Sequence, residues 1–296
     1  MLTVLLACGN PDHEPHPKDK PGEPTTPSTS WTVPTGTTPP TLDVDGLTEG
    51  LAQAVALVPQ LSADPPMAAY DSVMAYSGGY CPSTYGYATG TYGGYSTNWY
   101  SQCDTPGGAT FSGYAGDYQS DDYGDSSGYR GLYVSATVVD PQDRVLTAAG
   151  YWSRSVVDYG YELYTYDYLD GTMAYDAAVT RGTWIEDGLA PHELTIDAGE
   201  GDGWRYQSLD GQVTGLAGPI DTVDYTDVYY DSGYRCAEPT GTISLRTTEA
   251  DWFDVVFTGG DGAEGADCDG CGAVWWRGLE LGEVCSDFTP WKTGGR

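Results

Sequence analysis

Few side chains in this 296-residue sequence suit reactions: 3 histidines, 7 cysteines and a large stock of carboxylates. Histidine is the usual general base near neutral pH. His13 and His16 lie in the acidic, proline-rich stretch "DHEPHPKDK", where they read as incidental. His192, in "LAPHELT", is the one histidine that follows. A Ser-His-Asp triad would have to use it, yet no Gly-x-Ser-x-Gly elbow offers the serine. It reads as a turn residue at a strand start. A zinc enzyme with several histidine ligands is excluded by count. A glycosidase needs two carboxyls at a set separation in space. With 43 Asp and Glu residues such pairs occur everywhere, and sequence does not give separation. No catalytic residue is assigned.

The cysteines are Cys8, Cys81, Cys103, Cys236, Cys268, Cys271 and Cys285. Setting Cys8 aside leaves an even number, which in an exported chain reads as disulfides. Cys81 and Cys103 bracket a Gly/Tyr-rich segment with little apolar content and are expected to pair. Read as a hairpin turning at Gly278, "CGAVWWRGLELGEVC" places Cys271 opposite Cys285. Directly opposed Cβ atoms lie about 4.5–5.5 Å apart, near what a disulfide needs. Cys236 then takes Cys268. The competing reading is zinc held by Cys236, Cys268, Cys271 and Cys285. Such sites commonly pair two Cys-x-x-Cys knuckles, whereas here there is one. Thioredoxin-like chemistry from Cys268-Asp269-Gly270-Cys271 lacks its βαβ context.

Three acidic, glycine-rich loops suit calcium, which takes six to eight oxygens in irregular geometry. "SDDYGD" holds Asp121, Asp122 and Asp125, "DAGEGDG" holds Asp197, Glu200 and Asp202, and "GGDGAEGADCDG" holds Asp261, Glu264, Asp267 and Asp269. None matches the EF-hand loop, and solvated loops on an acidic protein are the alternative. The 25 tyrosines and 9 tryptophans raise sugar binding, since exposed rings stack on sugar faces while carboxylates accept hydroxyl hydrogen bonds. Trp275-Trp276 is the named candidate, because neighbours in a strand face opposite sides and one can be exposed.

At the N-terminus, Leu2 to Ala7 form a short apolar run ending Leu5-Leu6-Ala7-Cys8. This resembles the bacterial lipobox, Leu-x-Ala/Gly-Cys, over residues 1–8. The resemblance implies cleavage before Cys8, acylation of that residue and attachment to a membrane through acyl chains. The run is shorter than the roughly 7–15 residues of an ordinary h-region and has no positive n-region. A start codon placed too far downstream explains both. With the tether and β domain described next, the layout resembles uncharacterised lipoproteins of myxobacteria and related bacteria. That resemblance implies a cell-envelope address, at the outer membrane or cell surface, and no particular activity.

Residues 9–44 are rich in Pro, Thr and Ser and read as a semi-rigid disordered linker. Over 45–62, Leu47, Leu51, Val55 and Val58 recur at helical spacing, with Thr48 as N-cap and Pro59 ending the run. From residue 66 to 296 the expectation is an all-β domain, an antiparallel sandwich or a meander of hairpins. "YRGLYVSATVV" puts Leu132, Val134, Ala136 and Val138 on one face and Tyr129, Tyr133, Ser135 and Thr137 on the other. Leu194 and Ile196, Ile243 and Leu245, and Phe253, Val255 and Phe257 alternate likewise. Asp170-Gly171 and Asp210-Gly211 read as type I′ hairpin turns. Gly-Tyr recurs too irregularly for a solenoid. Two subdomains split near residue 190 are the alternative organisation.

The formal charge of −31 excludes nucleic acid, whose phosphates such a surface repels, and disfavours anionic headgroups. No run approaches the roughly 18 apolar residues of a membrane span. Aliphatics are scarce, so the core must use Tyr, Trp, Val and Ala. The expected role is structural or interactive, with a glycan or a protein as partner. The alternative is a carbohydrate-active protein, either binding module or hydrolase. A deep cleft with two facing carboxylates would mark the hydrolase, a flat aromatic platform the binding module.

Overall fold

The computed structural model describes residues 43–89, 94–120, 127–232, 238–259 and 269–293. Cys8, the tract 9–42, the acidic loops of Asp121, Asp122, Asp125 and of Asp261, Glu264, Asp267, and Cys236 and Cys268 lie outside these residues.

Helix α1 spans Val44–Leu57 and buries Leu47, Leu51, Ala54 and Val55. Its N-cap is Asp43, whose side chain accepts from the Gly46 N–H at 3.1 Å. Thr48, expected as the cap, lies inside the helix, because Asp43 satisfies the orphan donors one turn earlier. Pro59 falls in a 3₁₀ turn, Val58–Gln60, that follows α1 directly. Gly50 carries no side chain, and the Ile220 side chain occupies the place of its Cβ. A second helix, α2 (Asp64–Met74), occupies the start of the stretch read as β. Pro65 and Pro66 sit in its first turn, where the missing N–H costs nothing. Its Met67, Ala69, Tyr70 and Val73 are buried.

Among the described residues 13 strands form one antiparallel sheet in sequence order, a meander. They are β1 Thr84–Thr89, β2 Gly94–Asp104, β3 Thr110–Ser120, β4 Gly128–Val139, β5 Val145–Asp158, β6 Glu162–Ala174 and β7 Ala190–Gly201. Then come β8 Trp204–Thr214, β9 Ile220–Asp231, β10 Thr240–Thr247, β11 Trp252–Thr258, β12 Cys271–Trp276 and β13 Leu279–Cys285, before helix α3 at Thr289–Thr293. β6 and β7 pair without a register shift from Glu162↔Gly201 to Leu169↔Leu194.

The expected alternation holds. Leu132, Val134, Ala136 and Val138 are buried on an inner face, and Tyr133 and Thr137 are exposed on the outer one. Helix α1 packs on β9, β10 and β13 at the inner face, and α2 packs on β5. Aromatic polar tips fasten the helices there. Tyr225 Oη donates to the Ala54 carbonyl at 2.8 Å and Trp291 Nε1 to the Val55 carbonyl at 2.7 Å. These lie in the last turn of α1, where carbonyls lack helical partners. Trp99 Nε1 donates to Tyr70 Oη at 3.1 Å, joining β2 to α2. Two buried arginines complete the docking of α2. Arg130 binds Asp71 and Asp117, and Arg154 binds Asp64 with Asp167 at 3.9 Å.

Cys81–Cys103 and Cys271–Cys285 are disulfides, as the spacing predicted. Arg277 and Gly278 both have positive φ at the turn of the last hairpin, and Cys271 pairs with Cys285 in its register. Asp170-Gly171 and Asp210-Gly211 correct the sequence reading, for both lie within strands, β6 and β8. Gly171 has φ +129° and Gly211 φ +118°, and a Cβ on either would meet backbone of the neighbouring strand. Both are positive-φ glycines inside a ladder, of the kind that kink strands, and Gly211 sits at a register shift between β8 and β9. Positive φ is what both a kink and a hairpin turn require, so the dipeptide alone does not distinguish them.

Candidate functional site

The unusual surface of this protein is the outer face of its sheet. Tyrosines stand where polar residues ordinarily meet water, and glycines lie beside them on neighbouring strands. On β6, β7 and β8, Tyr164, Gly199 and Tyr206 are in register, and so are Glu162, Gly201 and Trp204. With no Cβ on Gly199, the rings of Tyr164 and Tyr206 lie over its backbone; the Trp204 indole lies over Gly201 in the same way.

The result is a pavement of rings. Trp204 and Tyr206 are parallel within 3°, with centroids 6.1 Å apart. Each covers its own glycine on β7, Trp204 over Gly201 and Tyr206 over Gly199. Tyr229 on β9 continues the row, 6.1 Å from Tyr206. Tyr164 lies 6.0 Å from Trp204, and Tyr159 stands edge-on to Tyr164 at 6.0 Å. Tyr161 and Tyr166 are exposed beside it.

Carboxylates rim the pavement and hold the phenols. Tyr164 Oη donates to Glu162 Oε2 at 2.9 Å, Tyr206 Oη to Asp197 Oδ1 at 3.2 Å and Tyr229 Oη to Asp231 Oδ2 at 3.4 Å. Burial first, then Asp197, pushes the Tyr206 phenol up; burial and then Glu162 do the same to Tyr164. Both remain neutral donors across the physiological range.

A second hollow, 590 Å³ in volume, opens on the same face over β2–β5. Its lining includes Tyr85, Asn98, Tyr100, Tyr114, Tyr133 and Tyr151, with Gly116 and Gly131. Tyr114 Oη and Tyr133 Oη are 2.9 Å apart, and Tyr129 and Tyr151 share a short hydrogen bond beside Gly131. At the strand ends a 670 Å³ hollow is lined by Asp158, Glu162, Glu200, Trp204, Arg205 and Lys292, among others. Glu200 pairs in register with Leu163, so strand alternation turns it from the face that carries Glu162. It lies 3.9 Å from the buried Arg205, while Glu162 is bound to Tyr164. These two carboxylates do not face one another as hydrolysis would require.

Of the residues singled out in the sequence, Trp276 is buried on the inner face, with the Arg277 guanidinium 4.8 Å from its ring centroid. Trp275 is half-buried on the outer face of β12, away from the pavement. His192 is exposed, its Nδ1 2.9 Å from Asp170 Oδ1. Of the loop Asp197, Glu200 and Asp202, Asp197 accepts from Tyr206 Oη at 3.2 Å and Glu200 lies 3.9 Å from Arg205 Nη2. Among the described residues no group of three or more His, Cys, Asp and Glu side chains could hold a metal ion. Sequence reasoning missed Tyr164, Trp204, Tyr206 and Tyr229 as a set. The available signal was the surplus of Gly-Tyr neighbours, but which ring covers which glycine depends on strand register.

Comparison with protein families, with curated protein sequences and with solved structures found no match.

Proposed function

We propose that this protein is an envelope lipoprotein whose sheet presents a carbohydrate-binding face. The near-parallel row of Trp204, Tyr206 and Tyr229, with Tyr164 tilted 46° to the indole beside it, carries the reading. A pyranose ring stacks its apolar C–H face on such a surface, and its hydroxyls reach the carboxylates of Glu162, Asp197 and Asp231 at the rim. Rings already fixed over glycine lose little conformational freedom when a ligand lands on them.

The same reading gives the rest of the chain a role. Acyl groups on Cys8 would anchor it, and the Pro/Thr tract would hold the sheet clear of the membrane as a semi-rigid spacer. The disulfides suit that oxidising address. Catalysis is not part of the proposal.

The test is a screen of residues 43–296 against immobilised polysaccharides, beside the variant Trp204→Ala. Binding of one or more polysaccharides, weakened roughly tenfold by loss of the indole, is the expected result. Equal retention of the variant, or no retention of wild type on any polysaccharide, would sink the proposal.

A further inference from the structure

We propose, building on the carbohydrate reading, that the tyrosine hollow over β2–β5 is a second subsite of the same face, and that its ligand is an extended, uncharged glycan crossing the strands to the pavement. Charge is the first argument. The chain carries 43 acidic and 12 basic residues, yet among the described residues no Asp, Glu, Lys, Arg or His lines this hollow. Its polar groups are phenols, the Asn98 amide and the Ser96 hydroxyl, joined in part as Asn98 Nδ2 to Ser96 Oγ at 2.8 Å. A uronate or sulfated chain would meet no cation here, and an amino sugar would meet no carboxylate. Neutral hydroxyls find donors and acceptors in plenty.

Continuity is the second argument. Tyr151, at the edge of the hollow, lies 5.6 Å from Tyr168 on β6. Tyr168, Tyr166 and Tyr164 alternate along the outer side of β6, and Tyr164 belongs to the pavement. Aromatic surface therefore runs from β3 to β9. Six strand intervals of about 4.8 Å span roughly 30 Å across the strands, and the step from Tyr168 to Tyr164 adds about 13 Å along β6, enough for a chain of several sugars. Two subsites on one chain convert the second contact into an intramolecular event, so affinity should climb with chain length.

The experiment measures binding of neutral di-, tetra- and hexasaccharides of glucose, mannose, galactose and xylose by calorimetry, with uronate and amino-sugar hexamers as controls. The variants are Tyr133→Ala and Tyr100→Ala in the hollow and Trp204→Ala in the pavement. Tyr100 is 80% exposed, so its truncation leaves the fold intact. For wild type a neutral hexasaccharide should bind roughly tenfold or more tightly than the disaccharide. Both hollow variants should erase that gain and leave disaccharide affinity unchanged, while Trp204→Ala weakens every length. Equal affinity at all lengths, a hexasaccharide indifferent to both hollow variants, or equal binding of the uronate chain overturns the second subsite while leaving the pavement standing. Failure of every oligosaccharide overturns the carbohydrate reading itself.

Discussion

Arg130 is the residue on which this fold spends its scarce positive charge. Its Nη atoms meet Asp71 at 2.6 and 2.8 Å, and its Nε and Nη2 meet Asp117 at 3.0 and 2.9 Å. Burial alone would lower the guanidinium pKa, but the two carboxylates outweigh it and push it up. Removing one partner of a buried pair strands the other charges and costs about 3–5 kcal/mol. Arg130→Met should therefore lose about that much stability in urea unfolding. Arg246→Met breaks a half-exposed pair 3.4 Å from Asp221 and should lose about 1 kcal/mol or less. Equal losses would show that Arg130 does not lock α2 to the sheet. Sequence displays Arg130 only as the last letter of "DSSGYR". Asp117 lies 13 residues away and Asp71 lies 59 away, so no local pattern joins them. The pavement was hidden for the same reason: each ring and its glycine come from different strands.

Elements were legible wherever one face met the core and the other met water. The alternation through Leu132, Val134, Ala136 and Val138 is read directly because burial imposes a period of two. The last hairpin was legible down to its disulfide, although its turn is Arg277-Gly278 rather than Gly278 alone: Trp276 pairs with Leu279, and a register shift between Val274 and Trp275 brings Cys271 opposite Cys285. Helix α2 was not, because Pro65-Pro66 punctuates the sequence like a loop although it begins a helix. Nor were the kinks. Gly171 faces Gly150 across the β5–β6 ladder, and its Cβ position falls on the Ala149 carbonyl oxygen and the Gly150 Cα. Only glycine fits that space at φ +129°. Gly171→Ala should cost about 1–3 kcal/mol from backbone strain. Gly78→Ala, at a site with open space around its Cβ position, should cost about 0.5 kcal/mol or less. Thermal unfolding of the two variants checks this, and a neutral Gly171→Ala would mean that the bend in β6 is not a constraint on the sheet.

At the scale of the whole molecule, the chain carries a formal charge of −31, and self-repulsion of that size opposes compaction. Proton uptake should therefore stabilise the fold until the paired carboxylates begin to protonate. Glu238 marks the upper limb. Burial first, and then Asp269, raises its pKa from 4.5 to about 7. An acid with a raised folded-state value binds more proton folded than unfolded between those values, so its contribution is full below about pH 4.5 and is lost as pH rises to about 7. Asp140 marks the lower limb. Burial would raise it, but hydrogen bonds from Arg144, Tyr175 and Gln142 outweigh burial and hold it below 3.8. Its contribution is present above that value and is lost as the solution becomes more acid. The two limbs together predict a melting temperature that peaks near pH 5, rises with added salt at pH 8 because screening weakens the repulsion, and declines on both sides of the peak. Glu238→Gln should flatten the decline between pH 5 and 7 while leaving the acid limb in place. Circular dichroism melts across that range decide the matter. A melting temperature that climbs steadily from pH 5 to 8, in wild type and variant alike, would mean that neither the half-buried Glu238 nor the massed charge governs the stability of this sheet.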